Sequence, residues 1–144
     1  MHMNEKNYSR YSNIAFISYK REDEVWAKWL QKKLEHYQLP TEIRKKYPDL
    51  DFSERPRHVF KDTTDLSGGV LAKAIKKGLD SSKFLVVICS PRAAMSEWVC
   101  KEVQDFINSG REEFIIPFIV EGEPYAKNKE NECFPSDLRD WLYC

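Results

Sequence analysis

The chain has 144 residues, 42% hydrophobic and 32% charged, and its 23 basic side chains cancel its 23 acidic ones. That length suits one domain with a buried core, and no apolar run nears the ~18 residues of a membrane span. With no basic stripe to hold nucleic acid, the composition predicts a soluble, cytoplasmic globular domain with neither nucleic acid nor membrane as partner.

Residues 1–12, which open MHMNEKNYSR, are polar and predict a disordered or tag-like segment; the domain proper is expected over 13–144. NIAFISY, Asn13 to Tyr19, is apolar, rich in β-formers and ends at a charged cluster, which predicts a strand buried on both faces. A helix is predicted from Glu22 to His36, with Val25, Trp29, Leu30, Lys33 and Leu34 at helical spacing and acids at its start. Leu39–Pro40 ends it, and a polar connector with Pro48 and Pro56 is expected to run to Arg57.

RHVFKD, Arg57 to Asp62, predicts a short second strand, and DTTDLSGG a loop made flexible by Gly68 and Gly69. Leu71, Ala74, Ile75 and Leu79 then form a helical face. KFLVVICS, Lys83 to Ser90, is continuously apolar and predicts a central strand under helices on both faces. SPRAAMSEWVCKEVQDFINSG predicts a turn and a helix ended by Gly110; FIIPFIV, Phe114 to Val120, predicts another buried strand; Ser136 to Tyr143 predicts a short helix. Strands alternating with helices predict an α/β domain with a parallel sheet, whose ligands bind beyond the C-terminal strand ends. SYKRED, DTTDLSGG and SPRAAMSEW all converge on that edge.

On a helix turning about 100° per residue, Met95, Val99, Val103 and Phe106 share a core face, while Glu97, Lys101, Gln104 and Asp105 face solvent. Glu102 and Trp98 fall on the border between them. A carboxylate half sheltered by an indole would be desolvated and responsive to a passing cation; the same pattern also fits an ordinary helix surface with a solvated glutamate. Ser18, Tyr19, Lys20 and Arg21, at a strand end before a helix, could hold a phosphate or be a solvated basic turn. Asp62 and Asp65 could be an acid pair, or Asp62 could cap its loop.

Neither GxGxxG nor GxxxxGK[ST] occurs, which removes the common nucleotide-binding signatures. The four cysteines, Cys89, Cys100, Cys133 and Cys144, lack metal-site spacing and read as buried free thiols. The three histidines are scattered, so no metal site is expected.

Taken in order, AFISYKRED, FKDTTDLSGG, LVVICSPRAAMSEWVCKE and IIPFIV, across about Asn13 to Val120, resemble the TIR (Toll/interleukin-1 receptor) domain family, especially its bacterial NAD+-cleaving members. The resemblance implies a flavodoxin-like parallel sheet of order 2-1-3-4, with the family's fifth strand left open because the chain stops at Cys144. It implies cleavage of NAD+, as substrate and with no cofactor, between nicotinamide and ribose. The glutamate of the family's WxxxE pattern corresponds to Glu102 and its tryptophan to Trp98. By the same resemblance Ser18, Tyr19 and Arg21 lie against ribose and phosphates, Asp62, Leu66 and Ser67 shape the pocket mouth, and Trp98 walls it. DTTDLSGG corresponds to the family's BB loop, so Asp65, Leu66, Gly68 and Gly69 are expected to mediate self-assembly into homo-oligomers or filaments. A sensor domain on the same, longer chain and a role in bacterial anti-phage defence are further expectations. The alternative readings are a non-catalytic TIR interaction module and, more remotely, a nucleoside or nucleotide transferase.

Overall fold

The computed structural model describes residues 11–38, 40–48, 58–61 and 69–142, with side chains at 69–72 and 140–142 outside that description. Strand β1 spans Asn13–Ser18, β2 Val59–Lys61, β3 Ser82–Cys89 and β4 Ile115–Ile119. The helices are α1 (Glu24–Glu35), α2 (Thr41–Lys46), α3 (Gly69–Asp80), α4 (Pro91–Ala94), α5 (Glu97–Asn108) and α6 (Ser136–Leu142). All strand pairs are parallel and the order is β2-β1-β3-β4. This is the flavodoxin-like α/β arrangement expected, with four strands among the described residues.

Successive side chains of a strand point to opposite faces, so each central strand supplies two cores. Phe16 with Leu85, Val87 and Cys89 faces α3 and α5, joined by Val99, Val103, Phe106 and Leu138. Ala15 and Ile17 with Val86 and Ile88 face α1, joined by Ala27 and Leu30. Phe16, Leu85, Val87 and Ile88 are fully buried, which contributes about 1.5–3 kcal/mol each. That two-sided demand is why these strands read as unbroken apolar runs. Phe60 stacks on Phe16 at 5.1 Å between centroids. Helix α3 approaches that pair through Gly78, where a Cβ would stand 2.8 Å from the Phe60 ring.

The structure departs from the pattern expected of the sequence at several elements. The first helix begins at Glu24, after a 3-10 turn at Arg21–Asp23, and its inner residues are Ala27 and Leu30. Val25 is 78% exposed and Trp29 half exposed, because the buried stripe starts from Asp23 rather than from Val25. The connector from Leu39 to Arg57 includes α2, a polar and basic helix with no buried residue. Of the second strand expected over Arg57 to Asp62, Val59–Lys61 is strand and His58 is not, while Arg57 and Asp62 lie outside the described residues. Strand β4 is only partly buried: Ile116 and Ile119 are half exposed, since β4 ends the sheet order and has a strand on one side only among the described residues. Trp26 and Trp29 pack over its Phe118.

Met95 is 86% exposed, not in the core. The chain breaks between α4 and α5, where Ser96 caps α5 by accepting from the Val99 N–H at 3.2 Å, so Met95 does not continue the α5 stripe. Gly69 is the first residue of α3 rather than part of the preceding loop. Gly110 follows the end of α5 with φ of 79°, the left-handed conformation in which glycine terminates helices.

Candidate active site

Ser18 is the last residue of β1, and the strand alternation that turns Phe16 toward α5 turns Ser18 the same way. Helix α5 meets it with the face that carries Val99, Glu102, Val103 and Phe106, all buried. The Ser18 hydroxyl donates to Glu102 Oε1 at 2.8 Å. Glu102 is 3% exposed, so it lies inside the core border where the wheel had placed it on the edge. A carboxylate kept this far from water requires hydrogen-bonding partners, and a serine at a position otherwise suited to an apolar residue supplies one. Trp98, one turn earlier, is half-buried against the same core.

Tyr19 points to the opposite face. It is buried with Ala27 and Leu30 under α1, with the Lys61 ammonium 6.0 Å from its ring centroid. Arg21 opens the 3-10 turn and is exposed. Among the predicted residues, Ser18 and Glu102 touch, Trp98 lies one turn before Glu102 on α5 and packs on the same core, and Tyr19 turns to the other face of the sheet. Asp62, Asp65, Leu66, Ser67 and Gly68 lie outside the described residues.

A second polar cluster went unread in the sequence. Asp23, 2% exposed, accepts from the Ser90 hydroxyl at 2.5 Å through Oδ2. Its Oδ1 accepts from Arg92 Nη2 at 2.7 Å and Nε at 3.2 Å. Arg92 Nη1 also donates to Glu121 at 2.7 Å, so the turn after β1, the start of α4 and the segment after β4 are bound together at the ligand edge. Its hydrogen bonds to Asp23 and then Glu121 hold the Arg92 guanidinium above its ordinary pKa. The available signal was Asp23 standing among helix-start acids with no reason of its own to be solvated; nothing local to the sequence marks its partner 69 positions away.

The three described cysteines are held as thiols. Burial pushes Cys89 up to about 12 and Cys133 to about 11, and Cys100 is also raised; a thiol held protonated is inert. Cys89, Cys100 and Cys133 are free, and Cys144 lies outside the described residues. Among the described residues no group of three or more His, Cys, Asp or Glu could hold a metal ion, and no helix is long and apolar enough to cross a membrane.

The sequence model of the TIR domain family matches residues 15–142, nearly the whole chain. The chain belongs to the TIR domain family. A curated relative, the NAD(+) hydrolase ApTIR of Actinoplanes sp., is 38% identical over 72 residues. That stretch is 48% of this chain and 10% of the relative's length.

Proposed function

We propose that this TIR domain is an NAD+ glycohydrolase, with Glu102 as its catalytic carboxylate. The observation that carries the reading is the buried bond from Ser18 to Glu102 at the C-terminal edge of the sheet, where ligands of open α/β sheets bind. The partial similarity to a named NAD(+) hydrolase supports the substrate class.

The chemistry asks little of the protein. The bond from the ribose anomeric carbon to the nicotinamide nitrogen breaks, its electron pair passes to the pyridinium ring, and nicotinamide leaves neutral without a general acid. The developing oxocarbenium ion needs a nearby negative charge, which Glu102 supplies while hydrogen-bonding the ribose hydroxyls. Water adds at the anomeric carbon and loses one proton, giving ADP-ribose; attack by the adenosine part gives a cyclic isomer instead. Ser18 and Arg21 line ribose and phosphates, Asp62, Leu66 and Ser67 the mouth, and Trp98 the wall, while Tyr19, expected beside them from the resemblance, is packed under α1 on the other face.

With Ser18 at 0% and Glu102 at 3% exposure, turnover requires a rearrangement that admits the ribose. We assign that step to self-assembly through Asp65, Leu66, Gly68 and Gly69. In this reading the domain works in a bacterial cytoplasm, coupled to a sensor module, and depletes NAD+ during phage infection. The same burial favours a second reading, in which Ser18 and Glu102 are a structural pair inside a non-catalytic interaction module. Nicotinamide release, followed by chromatography at rising protein concentration and on beads that crowd the domain, separates the two. Release that climbs faster than protein concentration is the expected result, and none under any condition leaves only the interaction module.

A further inference from the structure

The cluster around Asp23 has no place in the chemistry above, yet it stands at the ligand edge. Lys20 and Arg21 are the basic residues that follow β1 in the chain. They sit in a tight turn closed by the Asp23 N–H donating to Lys20 carbonyl at 2.7 Å. Asp23 is therefore the far anchor of the turn that presents Arg21. A carboxylate that is 2% exposed is not held there by water; Ser90 and Arg92 hold it, the arginine with two donors on one oxygen. Arg92 reaches on to Glu121, so the brace ties the turn to the segments that follow both β3 and β4. The Ser18 to Glu102 contact does not depend on this brace, because Ser18 is fixed by its pairing with Val87 in the sheet.

The geometry points to Asp23 and Arg92 as positioning residues for diphosphate recognition: their ion pair sets the turn so that Lys20 and Arg21 meet the substrate's phosphates preformed. The inference rests on the NAD+-cleaving reading. It assigns the pair to binding of the phosphate portion, remote from the bond that breaks, and a group of that kind acts on KM with kcat kept. A planar guanidinium fork is what two donors on one carboxylate oxygen require, and an ammonium cannot reproduce it.

The test compares wild type with Arg92→Lys and with the double variant Asp23→Asn/Arg92→Gln, which keeps neutral hydrogen-bonding groups and leaves no lone buried charge. Both are measured for nicotinamide release against NAD+ concentration, with thermal unfolding alongside. The expected result is a KM raised about tenfold with kcat within about twofold, the pattern for losing binding shared by the ground and transition states. A lowered Tm with KM unchanged makes the pair purely structural and overturns the inference. So does a loss confined to kcat, which would tie the pair to Glu102 instead. If wild type releases nicotinamide and KM is unmoved in the folded double variant, only the positioning role falls; if wild type releases none, the NAD+ reading falls and takes this role with it.

Discussion

The Ser18 hydroxyl and Glu102 Oε1, 84 positions apart in sequence, meet at 2.8 Å between the end of a central strand and the helix that follows its neighbour. Neither residue is in contact with bulk water to any useful extent. Their bond is a fold-stabilising contact and the centre of the proposed site at once, and the two roles can be measured separately.

Ser18→Ala removes the hydroxyl donor from a buried carboxylate. The loss of such a charge-assisted bond costs about 1–3 kcal/mol, so the urea midpoint should fall while the slope of the transition stays as in wild type. Nicotinamide release should fall as well, because the carboxylate loses a group that orients it. A variant as stable as wild type would mean that the hydroxyl contributes nothing to holding Glu102.

Gly78→Ala tests the contact between α3 and the sheet. The added Cβ would stand 2.8 Å from the ring of Phe60, an overpacking that costs about 1–3 kcal/mol. Phe60→Leu in the same background should recover part of the loss, a coupling read by a double-mutant cycle. Additive effects would show that the helix simply shifts aside.

The buried thiols predict an alkaline limit. Burial raises Cys89 from its ordinary 9.0 to about 12 in the folded chain. The unfolded thiol thus loses its proton first as pH climbs. The contribution of Cys89 to stability is complete below pH 9.0 and is lost progressively toward about 12. Unfolding midpoints measured across that window should decline, and Cys89→Ala, although less stable at neutral pH, should decline less steeply.

The layered fold was legible because a parallel sheet covered on both faces leaves unbroken apolar runs, as in KFLVVICS, and because Gly110 marks a helix end. The borders were less so. Val25 and Met95 are apolar residues at helical spacing, yet both are exposed: a wheel gives relative angles, and its absolute orientation depends on which residue the sheet accepts. Asp23, a charged residue, took the inner position instead. The same limit put Glu102 on a border when the helix in fact turns it inward to Ser18. Long-range pairs such as Asp23 with Arg92 leave no periodic trace, because each residue alone has an ordinary local excuse, a helix-start acid and a solvated base.

Glu102 is proposed as the carboxylate that stabilises the breaking bond, and the Glu102→Gln variant bears on that role without removing the side chain's volume. The amide can still accept from Ser18, so the fold should survive with its unfolding midpoint close to wild type. Nicotinamide release from NAD+, measured on beads that crowd the domain, should fall at least about a hundredfold, the scale for removing a preorganised electrostatic group. A folded Glu102→Gln variant that releases nicotinamide at the wild-type rate would remove Glu102 from the chemistry.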